Sequence, residues 1–156
     1  MNNLDRIKVG DRAPDFSLMD NRNQQILLSS LLGRKVLLSW HPLAWTSVCA
    51  QQMKALENHS ADFDSLKTVP LGLSVDSVPS KNAWAKDLGI SNVALLADFW
   101  PHGDTAKKYG LFRQKEGFSE RANVILSETG MVLWLKIYEI HQLPDIDEVM
   151  DFLGRT

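Results

Sequence analysis

The chain has 156 residues, a mass of 17.6 kDa and 17 Lys+Arg against 19 Asp+Glu, for a net charge of −2. That is the size of one domain spanning 1–156, with a folded surface of about 7,900 Å² against about 25,500 Å² unfolded, and 44% hydrophobic with 23% charged residues argues against disorder. The charge balance offers no nucleic-acid or anionic-membrane surface, no apolar run approaches the roughly 20 residues of a membrane span, and the opening Met-Asn-Asn-Leu-Asp-Arg lacks the apolar stretch of a secretory leader.

Strand and helix signals alternate along the chain. Phe16 to Met19 and Gln25 to Leu28, joined across Asp20-Asn21-Arg22-Asn23, read as a hairpin. Ser29 is placed to cap a short helix that stops at Gly33. Lys35 to Trp40 is a short apolar strand of the kind buried on both faces, ended by Pro42. From Thr46 the period becomes helical, with Cys49, Met53, Leu56 and Phe63 on one face and Thr46 or Ser47 as cap. Val69 to Val75 is a second buried strand, Lys81 to Leu88 a helix closed by Gly89, and Leu95 to Ala97 a short strand. Asp104 to Tyr109 is a helix closed by Gly110. Ala122 to Leu126 and Met131 to Tyr138 form a hairpin across Glu128-Thr129-Gly130, and Asp145 to Leu153 is a terminal helix. This order implies a three-layer α/β/α sandwich with an N-terminal β-hairpin. Trp40, Trp84 and Trp134 are expected in the core, and Trp45 and Trp100 in surface loops.

The single cysteine excludes an intrachain disulfide and a cysteine-rich zinc site, and fits a reducing compartment, most simply the cytoplasm. It lies where a buried strand hands over to the first turn of a helix, in His41-Pro42-Leu43-Ala44-Trp45-Thr46-Ser47-Val48-Cys49. Unpaired N–H groups at a helix N-terminus favour negative charge, and the thiolate is the reactive form of cysteine. A buried, inert cysteine is the alternative, since free cysteine is among the most buried residue types.

Pro42-x-x-x-Thr46-x-x-Cys49 resembles the active-site motif of the peroxiredoxins, thiol peroxidases of the AhpC/TSA class with a thioredoxin-like fold. The resemblance covers nearly the whole chain. Gly10-Asp11-Arg12-Ala13-Pro14-Asp15-Phe16 is similar to the family's opening. Asp98-Phe99-Trp100-Pro101-His102-Gly103 followed by Tyr109-Gly110-Leu111 is similar to the AhpE-like one-cysteine subgroup. Arg121 falls where the family keeps its active-site arginine. The resemblance implies four roles. Cys49 is the peroxidatic nucleophile, Thr46 offers its hydroxyl to peroxide and thiolate, Arg121 holds the thiolate and orients the peroxide, and Pro42 shields the sulfur from water. It implies no cofactor and no metal. The expected partners are a peroxide, an external thiol reductant (thioredoxin, a glutaredoxin-like protein or a low-molecular-weight thiol) and a second copy of the chain in a homodimer.

Two positions depart from the family pattern. His41 stands where an aromatic is expected and is read as a packed neutral ring. Gln52 replaces a glutamate, which puts a carboxylate proton network there in doubt. Two other readings stay open on the residues alone: a monothiol thiol-exchange protein, and a non-catalytic binding or holdase protein on the same fold. A cysteine of ordinary acidity is only about 3% thiolate at pH 7, so complete ionisation raises the rate about thirtyfold, or about 2 kcal/mol. An efficient peroxidase must therefore draw most of its acceleration from groups that meet charge in the transition state.

Overall fold

Lys35–Trp40 (β3) has five of its six residues buried because both its edges and both its faces are covered. On one side it pairs in parallel with β4 (Thr68–Ser74), and on the other it pairs antiparallel with β8 (Arg121–Leu126). The computed structural model describes residues 5–156, so the first four residues of the segment read as lacking a leader lie outside it. The seven-stranded sheet runs β2 (Gln25–Leu27), β1 (Ser17–Asp20), β5 (Ala94–Ala97), β4, β3, β8 and β9 (Val132–Tyr138), with β3, β4 and β5 mutually parallel. The described residues expose 7616 Å².

Side-chain alternation on β3 divides the interior into two layers. Leu37 enters a cluster with Met53 and Leu56 of α1 (Ser47–Asn58), Phe63 of α2 (Ser60–Ser65), Trp84 of α3 (Val78–Leu88) and Val149 of α5 (Ile146–Gly154). Val36, Leu38 and Trp40 enter the opposite cluster with Phe16, Tyr109, Phe112 and Ala106 of α4 (Asp104–Lys108). The same parity on β8 sends Ile125 to the first cluster and Ala122, Val124 and Leu126 to the second. Ser39 on β3 and Arg121 and Asn123 on β8 therefore face α1. Gly72 on β4 lies under α1, where a Cβ would approach Met53 Sδ and Leu95 closer than packing allows.

The expected hairpins, strands and terminal helix are present, with several corrections. The periodicity from Cys49 to Phe63 spans two helices. The Ser60 hydroxyl donates to the Glu57 carbonyl at 2.7 Å and the His59 ring bonds the Ala55 carbonyl at 2.9 Å, so side chains take up the carbonyls of the last turn. Ser29 caps nothing: a 3-10 turn, Leu28–Leu31, begins one residue earlier, and the Ser29 N–H donates to Asp15 Oδ1. The third helix begins at Val78, not Lys81, because Ser77 caps it and Pro79 opens its first turn. Trp134 is half-buried, since β9 is an edge strand. A hairpin of two-residue strands, β6 (Phe112–Arg113) and β7 (Phe118–Ser119), is too short for alternation to reveal. Among the described residues no helix is long and apolar enough to cross a membrane.

Candidate active site

The backbone leaving β3 turns through His41, Pro42 and Leu43, takes a left-handed conformation at Trp45 (φ 68°) and enters α1 after Thr46. Thr46 occupies the cap position in extended geometry, yet its hydroxyl donates backwards to the Leu43 carbonyl at 2.8 Å and accepts from no helix N–H. Its oxygen keeps a free acceptor lone pair. Cys49 follows in the first turn of α1 and is wholly buried.

Arg121, on the first residue of β8 and facing α1, reaches the sulfur. Its Nη1 donates to Cys49 Sγ at 3.3 Å and to Gln52 Oε1 at 2.9 Å, while Nε donates to the Ile140 carbonyl at 2.8 Å. Gln52 lies one turn after Cys49 on the same helix face. Its amide donates to Ser39 Oγ (2.8 Å) and the Trp40 carbonyl (3.1 Å), and Ser39 Oγ donates to Asn123 Oδ1 at 2.7 Å. The arginine is thus fixed by a neutral buried network. No carboxylate at position 52 shares its charge.

Pro42, Thr46, Phe118, Arg121, Ile140 and His141 line a cleft of about 300 Å³. Of the four residues singled out from sequence, Pro42, Thr46 and Arg121 share this cleft, and Arg121 links it to Cys49. Thr46 makes no hydrogen bond to the sulfur.

The loop from His41 to Trp45 is held from behind by the start of α3 and the turn before it. The Ala44 N–H donates to Asp76 Oδ2 at 2.8 Å, Trp45 Nε1 donates to Ser80 Oγ at 3.1 Å, and Lys81 Nζ meets His41 Nε2 at 2.7 Å. His41 is buried and packs on Trp84, with ring centroids 5.4 Å apart. Burial first, then the Lys81 and Arg121 charges, hold its pKa well below the ordinary value against the opposing Ser39 carbonyl, so the ring is neutral. Sequence reasoning missed Lys81, Asp76, Ser39 and Asn123. The available signal for Lys81 was its place three residues before Trp84, on the apolar stripe of α3. Among the described residues no cluster of His, Cys, Asp or Glu could hold a metal ion.

Residues 9–135 match the AhpC/TSA family. Alkyl hydroperoxide reductase E of Mycobacterium tuberculosis is 32% identical over 140 residues, 89% of this chain and 91% of that one. Peroxiredoxin 2 of Thermoplasma acidophilum is 33% identical over 147 residues, 91% of this chain and 72% of that one. The reduced 2-Cys peroxiredoxin of Plasmodium vivax superposes with a TM-score of 0.85 at 28% identity, covering 95% of this chain and 81% of that one. AhpC of Enterococcus faecalis superposes at 0.86 with 22% identity over 94% of this chain and 90% of that one, a likeness of fold. With a thioredoxin-like fold and one buried thiol at the start of a helix, the chain belongs to the AhpC/TSA family of thiol-dependent peroxidases.

Proposed function

We propose that the protein is a one-cysteine peroxidase that reduces hydrogen peroxide and organic hydroperoxides at Cys49. The observation that carries the reading is the 3.3 Å contact between Arg121 Nη1 and Cys49 Sγ, made by an arginine that also lines the cleft. Peroxide enters between Pro42, Thr46, Phe118 and Ile140. The thiolate attacks one peroxide oxygen, the S–O bond forms as the O–O bond breaks, and the departing alkoxide or hydroxide takes a proton to leave as alcohol or water. Arg121 meets the negative charge as it moves from sulfur to the leaving oxygen. The free lone pair on Thr46 Oγ1 accepts the peroxide O–H and sets its orientation, because the Thr46 proton is already committed to Leu43. Pro42 has no N–H and keeps water from the sulfur without offering a donor.

The product is Cys49–SOH. No second cysteine exists to trap it, so an external thiol condenses with it, releasing water and leaving a mixed disulfide that a second thiol reduces. Thioredoxin, a glutaredoxin-like protein and a low-molecular-weight thiol are the reductant classes to compare. The working form is a cytoplasmic homodimer. Support for the dimer is the exposure of three large aromatics, Trp45 in the loop before Cys49 and Phe99 and Trp100 in the loop after β5, the last 81% exposed. The test is peroxide consumption by purified protein with each reductant in turn. Turnover with at least one and none with Cys49→Ser is the expected result. Glutathione exchange without peroxide consumption would favour the monothiol-exchange alternative.

A further inference from the structure

We propose that Lys81 is a positioning residue for the peroxide reaction, acting through His41 as a buried, titratable positive charge behind the Cys49 loop whose proton sets how fast Cys49 reacts. The inference deepens the peroxidase reading and rests on it.

Lys81 is wholly buried in the second turn of α3, and among the described residues its only hydrogen-bond partner is His41 Nε2, at 2.7 Å. His41 Nδ1 faces the Ser39 carbonyl at 3.4 Å, which places the ring proton on Nδ1 and makes Nε2 an acceptor for Lys81. Among the described residues no carboxylate lies within ion-pair distance of the ammonium, and the Trp84 ring lies 5.4 Å from Nζ to centroid. A buried lysine so incompletely paired is costly, and a simple core position is filled better by an apolar side chain.

The pair lies beside the reaction centre. His41 directly precedes Pro42, and continues the face of β3 that carries Leu37 and Ser39 toward α1. The groups that face the pair are Asp76 from the β4–α3 turn, Cys49 from α1 and Arg121 from β8. Burial pushes the Lys81 ammonium down to about 7, with Asp76 and then the Cys49 thiolate opposing. The protonated Lys81 places a positive charge directly behind the loop that carries Cys49, so negative charge at the sulfur and the Lys81 proton attract one another. Near neutral pH the ammonium adds a second positive charge to that of Arg121. As it deprotonates the loop keeps its hydrogen bond to His41 and loses that charge.

The test is the rate constant of reduced protein with hydrogen peroxide and the thiolate absorbance at 240 nm, both from pH 5 to 9.5, in wild type, Lys81→Gln and Lys81→Met. Glutamine retains a donor for His41 Nε2 without a titratable proton. The wild type is expected to show two transitions, one from the thiol and one from Lys81. Lys81→Gln is expected to show one, with a rate at pH 6.5 roughly threefold to tenfold below wild type. A folded Lys81→Gln that keeps both transitions and the wild-type rate would overturn the proposal. As an independent measurement, NMR titration of 15N-lysine protein should place the Lys81 midpoint lower in Cys49→Ser than in wild type. Equal midpoints would also overturn it. If wild type reacts with no peroxide, the peroxidase reading fails, while the absorbance and NMR titrations still decide the coupling.

Discussion

Arg121 holds Cys49 and Gln52 with the same nitrogen: Nη1 lies 3.3 Å from the thiol sulfur and 2.9 Å from the glutamine oxygen. One guanidinium N–H points at the Cys49 sulfur while another is anchored to a neutral side chain. The charge therefore faces the sulfur without a carboxylate to share it.

Removing that fork should affect chemistry more than folding. Arg121→Met is expected to slow peroxide reduction roughly 100-fold, and the loss should persist at alkaline pH, where every thiol is ionised. Arg121→Lys should recover only part of it, because one ammonium cannot span Ile140, Gln52 and Cys49 together. Stopped-flow rate constants at pH 7 and pH 9.5 check this. A wild-type rate for Arg121→Met at pH 9.5 would reduce the arginine to an aid to ionisation.

Gln52 is predicted to act through Arg121. Gln52→Ala takes one partner each from Arg121 Nη1, Ser39 Oγ and the Trp40 carbonyl in a buried site and should cost about 1–3 kcal/mol of stability, measured by urea denaturation. Gln52→Glu should keep the fold and slow the reaction at neutral pH, because a carboxylate 2.9 Å from Nη1 competes with the thiolate for its charge. An unchanged rate in a folded Gln52→Glu would show that Arg121 serves the sulfur regardless of what else it holds.

The motif around Cys49 was legible because Pro42, Thr46 and Cys49 are local in sequence and lie on one strand–loop–helix junction. Gln52 was visible as a departure, but its role depends on Arg121, 69 residues away. Ser39 and Asn123 meet only because β3 and β8 pair in the register Ser39 to Asn123, which no local pattern encodes. Lys81 was hidden by its type: a lysine at the start of a helix reads as a solvated face, and only its spacing to Trp84 marks it as inward. The break between α1 and α2 was missed because the apolar period carries across it, with Met53, Leu56 and Phe63 all meeting one core. His41 behaves as the packed neutral ring expected of it, with a lysine attached that the sequence did not announce.

Stability should rise with pH between neutral and alkaline conditions. An unfolded chain keeps the Lys81 proton up to its ordinary 10.5, whereas the folded protein releases it at about 7. Across that window the unfolded state binds more protons, so stability climbs toward 10.5 and is lost as the pH falls toward 7. The neutral, buried His41 acts in the same direction at lower pH, because only the unfolded ring protonates readily below 6.5. Urea midpoints should be higher at pH 9 than at pH 7, with a slope limited to about 1.4 kcal/mol per pH unit for one proton. Lys81→Met should flatten that rise. A wild-type midpoint that falls over this window contradicts the burial of an ionisable lysine.

The exposed aromatics predict a linkage between assembly and rate. Trp45 is tied to Ser80 by its indole N–H and sits one residue before Thr46, so a partner resting on Trp45, Phe99 and Trp100 would stiffen the loop that positions the site. Trp100→Glu should weaken a dimer and lower the peroxidase rate together, read by light scattering and peroxide consumption on the same samples. A reduced wild-type protein that is strictly monomeric at tens of micromolar would remove this prediction.

The central claim is that Cys49 is the atom-accepting nucleophile, and intact-protein mass spectrometry during peroxide titration tests it most directly. One equivalent of peroxide should add one oxygen to the reduced protein at Cys49, and excess should add a second as sulfenic acid proceeds to sulfinic acid. Cys49→Ser should add none at that position and consume no peroxide above the buffer blank. Peroxide consumption by Cys49→Ser, or a wild-type Cys49 left unmodified while peroxide disappears, would contradict the account.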